Sequence, residues 1–144
     1  MRICFDMDGT IADLYGTENW LEKLRASDAS PYIKAKPCIN MQSLARILNR
    51  LQRQGYEIGI ISWLAKNSTH EYNENVTTVK KAWLKKHLKS VNFNFITITE
   101  YGTNKNIVNT SINDILFDDD INNRIAWNGI AYDEKNIINI LKTC

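Results

Sequence analysis

Apolar positions along this chain follow two rhythms. Short apolar runs recur at Arg2-Ile3-Cys4-Phe5, Ile58-Gly59-Ile60-Ile61, residues 93–98, Ile115-Leu116-Phe117 and Ile130-Ala131-Tyr132. Runs this short, ending at acidic or hydroxyl residues, read as strands, those at Arg2–Phe5 and Ile58–Ile61 as buried ones. Between them the spacing changes to helical. Met41, Leu44, Ala45, Leu48 and Leu51 mark the clearest stripe, with Asn40 placed to cap it and Gly55 to stop it. Val76, Val79, Trp83, Leu84 and Leu88 predict a helix over about 74–89. Lys80, Lys81, Lys85, Lys86 and Lys89 form its other, basic face, read here as solvated. Weaker helical stretches fall at 18–26 (Trp20, Leu21, Leu24), just after Lys105, at 121–127, and around Ile137, Ile138 and Leu141. Residues 27–39, with Ser27, Ser30, Pro31 and Pro37, read as an irregular connection.

Strands alternating with helices predict an α/β domain over residues 1–144. The expected architecture is a Rossmann-like three-layer fold, a parallel sheet of about five strands with helices on both faces. Such sheets bind ligands at the carboxyl ends of their strands, where strand order reverses. The residues to inspect are therefore Asp6 with Asp8, Ser62, the region around Lys105, and Asp118 to Asp120.

Composition narrows the function classes. With 44% hydrophobic and 24% charged residues, the 144-residue chain is neither disordered nor a disulfide scaffold. A net charge of +2 argues against a dedicated nucleic-acid coat, while leaving room for a local basic patch. Cys4, Cys38 and Cys144 stand far apart and form no ligand spacing, so reduced thiols in a cytoplasmic protein are expected. No apolar stretch approaches the ~18 residues of a membrane span, and no membrane partner is expected.

Asp6-Met7-Asp8-Gly9-Thr10 places two carboxylates one residue apart beyond a buried strand. With Asp118 to Asp120 at another strand end, so many convergent oxygen donors call for a hard divalent cation, Mg²⁺. Gly9 permits a tight turn, Thr10 and Ser62 offer hydroxyls, and Lys105 offers an ammonium. A carboxylate nucleophile, a metal, hydroxyls and an ammonium make a phosphoryl-transfer constellation.

These residues resemble the four ordered motifs of the haloacid dehalogenase (HAD) superfamily. Asp6-Met7-Asp8-Gly9-Thr10 is similar to its DxDGT signature, Ser62 to its second motif, Lys105 to its third, and Asp118-Asp119 to its acidic fourth. The resemblance implies that Asp6 attacks phosphorus and that Asp8 serves as acid and then base. It also implies that Mg²⁺ is held by Asp6, the Asp8 carbonyl and an acidic residue of the fourth motif. Thr10, Ser62 and Lys105 would hold phosphoryl oxygens, helped by backbone N–H groups around Met7 and Trp63. Asp119 is the implied direct metal ligand, Asp118 its outer partner and Asp120 a helix cap, with a one-residue shift left open.

Residues 14–39 are too short for a full helical cap, which implies a minimal-cap enzyme with an open site. Tyr15, Trp20 and Trp63 are candidate substrate contacts, and the short cap with Ser62-Trp63 resembles 5′-nucleotidase-like members. The expected function is a Mg²⁺-dependent phosphomonoesterase acting on a small phosphorylated metabolite, such as a nucleoside monophosphate. The alternatives are a phosphatase for a phosphorylated nucleic-acid end, or a non-catalytic HAD-like module that binds phosphate or a protein.

Overall fold

The computed structural model describes residues 1–144. In chain order the elements are β1 (Arg2–Phe5), β2 (Ala12–Asp13), α1 (Trp20–Arg25), α2 (Ser30–Lys34), β3 (Lys36–Pro37), α3 (Met41–Arg53) and β4 (Glu57–Trp63). They continue with α4 (His70–His87), β5 (Phe95–Thr99), a 3₁₀ helix (Lys105–Val108), β6 (Ile115–Phe117), α5 (Ile121–Ala126), β7 (Ile130–Tyr132) and α6 (Ile137–Lys142). Five strands form one parallel sheet in the order β5-β4-β1-β6-β7, the α/β architecture that the alternation predicts.

Strand order dictates where the helices lie. The chain steps from β1 to β4 to β5, then returns to the far side of β1 for β6 and β7. Right-handed crossovers in opposite directions place their connections on opposite faces. Alternate strand residues Ile3, Phe5, Ile58, Ile60, Ile115 and Phe117 accordingly pack on Leu44, Leu48 and Leu51 of α3, Trp83 and Leu84 of α4, and Ile137 and Leu141 of α6. Cys4, Ile61 and Leu116 point the other way, onto Val108 and Trp127. Each buried leucine of α3 contributes about 2–5 kcal/mol relative to alanine. Cys4 is completely buried, and burial pushes its thiol up to about 12, an inert core residue.

Helix α3 follows its sequence signals. The Asn40 side chain accepts a hydrogen bond from the Ser43 N–H at 2.9 Å, and Gly55 beyond its end has φ +96°. Helix α4 begins at His70, earlier than the apolar spacing predicts. Its first turn is polar except for Tyr72, yet the Thr69 hydroxyl caps it by accepting from the Tyr72 N–H at 3.2 Å.

Residues 27–39 are more ordered than their composition suggests. Pro31 sits in the first turn of α2, where a missing N–H costs nothing. Strand β3 pairs antiparallel with β2, joining Ala12 to Pro37 and Asp13 to Lys36. Ala29 and Tyr32 of this segment, with Leu14, pack on Leu64, Tyr72 and Val76. The Trp83 indole N–H donates to the Ala35 carbonyl at 2.8 Å, which ties the segment to α4.

Candidate active site

The direction of strand steps reverses between β1 and β6, so the switch point lies between their carboxyl ends, with the end of β4 beside it. A cavity of about 890 Å³ opens there. Asp6, Asp8, Tyr15, Trp20, Trp63, Lys105, Asp118 and Asp119 line it, together with Asp120. Thr10 and Ser62 are fully buried, and neither lines the cavity.

The turn after β1 is built for close approach. Gly9 has φ +81°, and a Cβ there would run into the Asp119 carboxylate and the Tyr15 ring. The Met7 carbonyl accepts from the N–H groups of Thr10, Ile11 and Ala12, folding the loop back on itself. The N–H groups of Met7 and Asp8 find no partner within the chain and are free for an anion. Thr10 braces the acidic groups. Its hydroxyl lies 3.0 Å from Asp6 Oδ2 and 3.2 Å from Asp119 Oδ1, and it accepts from the Asp119 N–H at 3.1 Å.

Lys105 donates to Asp6 Oδ1 at 2.8 Å and to Asp118 Oδ2 at 2.6 Å. Burial works against its ammonium, but the Asp6 and Asp118 carboxylates outweigh burial and hold its pKa above the usual lysine value. The Asn104 side chain positions the 3₁₀ helix that carries it, accepting from the Asn106 N–H at 2.9 Å. The Asp120 N–H and the Asn123 amide also donate to Asp118, at 2.9 and 3.1 Å. Asp120 caps α5, accepting from the Asn122 N–H at 2.8 Å, as its position suggests.

Lys80 corrects the reading of a uniformly solvated basic face. It is 1% exposed and projects from α4 to Asp8 Oδ2 at 2.9 Å and Ser62 Oγ at 2.8 Å. The helical spacing holds the signal that finds it. Lys80 lies four residues after Val76 and three and four before Trp83 and Leu84, all buried. Lys81, Lys85, Lys86 and Lys89 are exposed, and none lines the cavity. Sequence reasoning also missed Tyr101, whose ring centroid stands 5.0 Å from that of Trp63. On the opposite aromatic pair, Tyr15 and Trp20 meet edge to face at 4.9 Å.

Four carboxylates, Asp6, Asp8, Asp118 and Asp119, face two ammonium groups. Burial, then the nearby Asp6 charge, pushes Asp118 up to about 6 and Asp119 up to about 7. Asp8 is raised chiefly by burial, opposed by Lys80. Asp6, Asp118 and Asp119 each bring an oxygen within 4.8 Å of the others. A crowded, all-oxygen, under-compensated site of this kind fits a hard divalent cation such as Mg²⁺.

This crowding predicts an unusual stability profile. A carboxyl whose folded pKa exceeds its unfolded value of about 4 keeps, in the native state, a proton that the unfolded chain has released. Its stabilisation is therefore complete below about pH 4 and is lost as pH rises through the folded values. In chelator, the urea midpoint is expected to fall between about pH 5 and about pH 7.5. Added Mg²⁺ should restore it at the higher pH and change it little at the lower. A midpoint indifferent to both pH and Mg²⁺ would contradict the crowding.

No protein-family model matches the chain, and no curated protein matches it in sequence. Among solved structures, the D,D-heptose 1,7-bisphosphate phosphatase from Burkholderia thailandensis is similar. The TM-score is 0.50 at 12% sequence identity, covering 87% of this chain and 70% of that one. At this identity the likeness speaks for the fold, a five-stranded parallel α/β sheet with helices.

Proposed function

We propose that this protein is a HAD-type, Mg²⁺-dependent phosphomonoesterase. One observation carries the reading: the Asp6 carboxylate stands at the switch point between Lys105 and the Asp118-Asp119 pair, with Asp8 on the same cavity wall. The fold shared with a phosphatase and the resemblance to the four HAD motifs support it.

In the proposed reaction an Asp6 oxygen attacks the substrate phosphorus. The bond from phosphorus to the leaving oxygen breaks, and that oxygen takes a proton from Asp8. Asp8, now a carboxylate, removes a proton from water, which attacks the aspartyl-phosphate. Inorganic phosphate leaves and Asp6 is regenerated. The free N–H groups of Met7 and Asp8, with Lys105, would hold the phosphoryl oxygens. Asp8 Oδ1 has no partner within the chain and is the atom available for the proton transfers. Bound Mg²⁺ would offset the charge of the carboxylates and the phosphoryl group. Asp6, the Asp8 carbonyl and Asp119 would hold it, while Asp118, which also accepts from the Asp120 N–H and the Asn123 amide, orients Lys105.

Residues 14–39 act as the minimal cap in this reading. Trp20, Leu21, Leu24 and Arg25 of α1 form one cavity wall, and the Tyr15–Trp20 and Trp63–Tyr101 pairs supply aromatic surface. A cavity of this size suits a small metabolite. The aromatic lining favours one with a planar ring, such as a nucleoside monophosphate. Phosphate release with Mg²⁺ across nucleoside monophosphates, sugar phosphates and phosphorylated oligonucleotides tests this. Nucleoside monophosphates should be preferred, and Trp20→Ala should raise their KM by about tenfold, the worth of one stacked base. A KM left unchanged, or raised equally for sugar phosphates, would remove the base-stacking role.

A further inference from the structure

We propose that Lys80 is a positioning residue for the proton-transfer step, acting through Asp8 and Ser62. The proposal rests on the phosphomonoesterase reading above and assigns a role to a buried cation that the reaction does not otherwise use. An ammonium has three N–H groups, and all three of Lys80 are engaged. They donate to Asp8 Oδ2 at 2.9 Å, to Ser62 Oγ at 2.8 Å and to the Trp63 carbonyl at 2.7 Å. At 1% exposure, with the Tyr32 ring centroid 5.2 Å away, Lys80 does not line the cavity and has no donor left for substrate.

Its partners explain what it does. Asp8 stands on a loop and is otherwise unrestrained, because no other group within the chain donates to its carboxylate. Holding Oδ2 restrains the Asp8 side chain and leaves Oδ1 without a partner within the chain. Ser62 Oγ accepts from Lys80, which anchors this fully buried hydroxyl behind the cavity wall. The bond to the Trp63 carbonyl fixes the peptide between Trp63 and Leu64, at the end of β4. One helix side chain therefore locks the end of β4 to the loop after β1. Such support holds reacting groups to the fraction of an ångström that proton transfer requires.

The leaving group separates positioning from plain structural support. A nitrophenolate departs without a proton, whereas an alkoxide needs one. The value of kcat/KM reports on steps up to transfer of the phosphoryl group to Asp6, before water enters. Lys80→Met, in folded protein with Mg²⁺, is expected to lose about 100-fold in kcat/KM on an alkyl phosphomonoester. On p-nitrophenyl phosphate it should lose less than about fivefold. Asp8→Asn should show the same selective loss, and the double variant little more than either alone. Should Lys80→Met fail to fold, Lys80→Gln, whose amide keeps two donors, carries the same comparison. Equal losses on both substrates, or none, would overturn the positioning role. If Asp8→Asn lost both substrates equally, the acid role of Asp8 would fall, and that of Lys80 with it.

Discussion

Asp6→Asn is expected to abolish phosphate release while leaving the fold at least as stable as before. The amide is nearly isosteric but is no nucleophile, so turnover should drop by about 10⁵-fold, as when a covalent nucleophile is removed elsewhere. The stability half of the prediction follows from charge. Asp6 lies beside Asp118 and Asp119 and raises the pKa of both. Neutralising it relieves that repulsion. The new amide oxygen can still accept from Lys105, and its nitrogen can donate to the Thr10 hydroxyl, which now bonds to Asp6. In chelator the variant should therefore melt at or above the wild-type temperature. Phosphate release and thermal denaturation on the same samples check both halves. A variant that is inactive because it is unfolded would support neither.

Lys105→Met should damage both activity and stability. Its ammonium is buried between two carboxylates, at 2.8 Å from Asp6 and 2.6 Å from Asp118. Removing one partner of a buried ion pair strands charge in a low-dielectric site and costs about 3–5 kcal/mol. The lost phosphoryl-oxygen donor should lower kcat/KM by about 10²–10³-fold. Mg²⁺ is expected to recover part of the stability, since it can compensate the stranded carboxylates. It should recover little activity, since a metal on Asp6 and Asp119 does not replace a donor between Asp6 and Asp118. Urea unfolding with and without Mg²⁺, beside kcat/KM, separates the two effects. Unchanged stability in chelator would contradict the ion-pair geometry.

What could be read from the sequence depended on how local each signal was. Strand β6 and the clear stripe of α3 were legible because propensity and burial pattern agree there, and a side-chain cap marks the start of α3. The strand-end rule brought Asp6, Asp8, Lys105, Asp118 and Asp119 to notice before any contact was known, and all of them line the cavity. Helix α2 and the β2–β3 pair were hidden, because Ser30, Pro31 and Pro37 carry turn signals while distant packing holds the segment in place. Lys80 was lost among four neighbouring lysines. Its charge outweighed its helical position, although Val76, Trp83 and Leu84 mark that position as buried. The partners that make a lysine affordable there, Asp8 and Ser62, lie 72 and 18 residues away. Thr10 and Ser62 show the same limit. Spacing places them at the site, but only the folded chain shows Thr10 bracing Asp6 and Asp119, and Ser62 held by Lys80.

The central claim, phosphoryl transfer through Asp6, is tested most directly by trapping the intermediate. Protein turning over p-nitrophenyl phosphate with Mg²⁺ would be quenched in acid and reduced with borohydride, which converts an aspartyl-phosphate to homoserine. Peptide mass spectrometry would then read residue 6. The account predicts homoserine at position 6 in the wild type, and none there without substrate. Steady phosphate release with residue 6 unmodified, or with the phosphoryl group trapped on another residue, would contradict it.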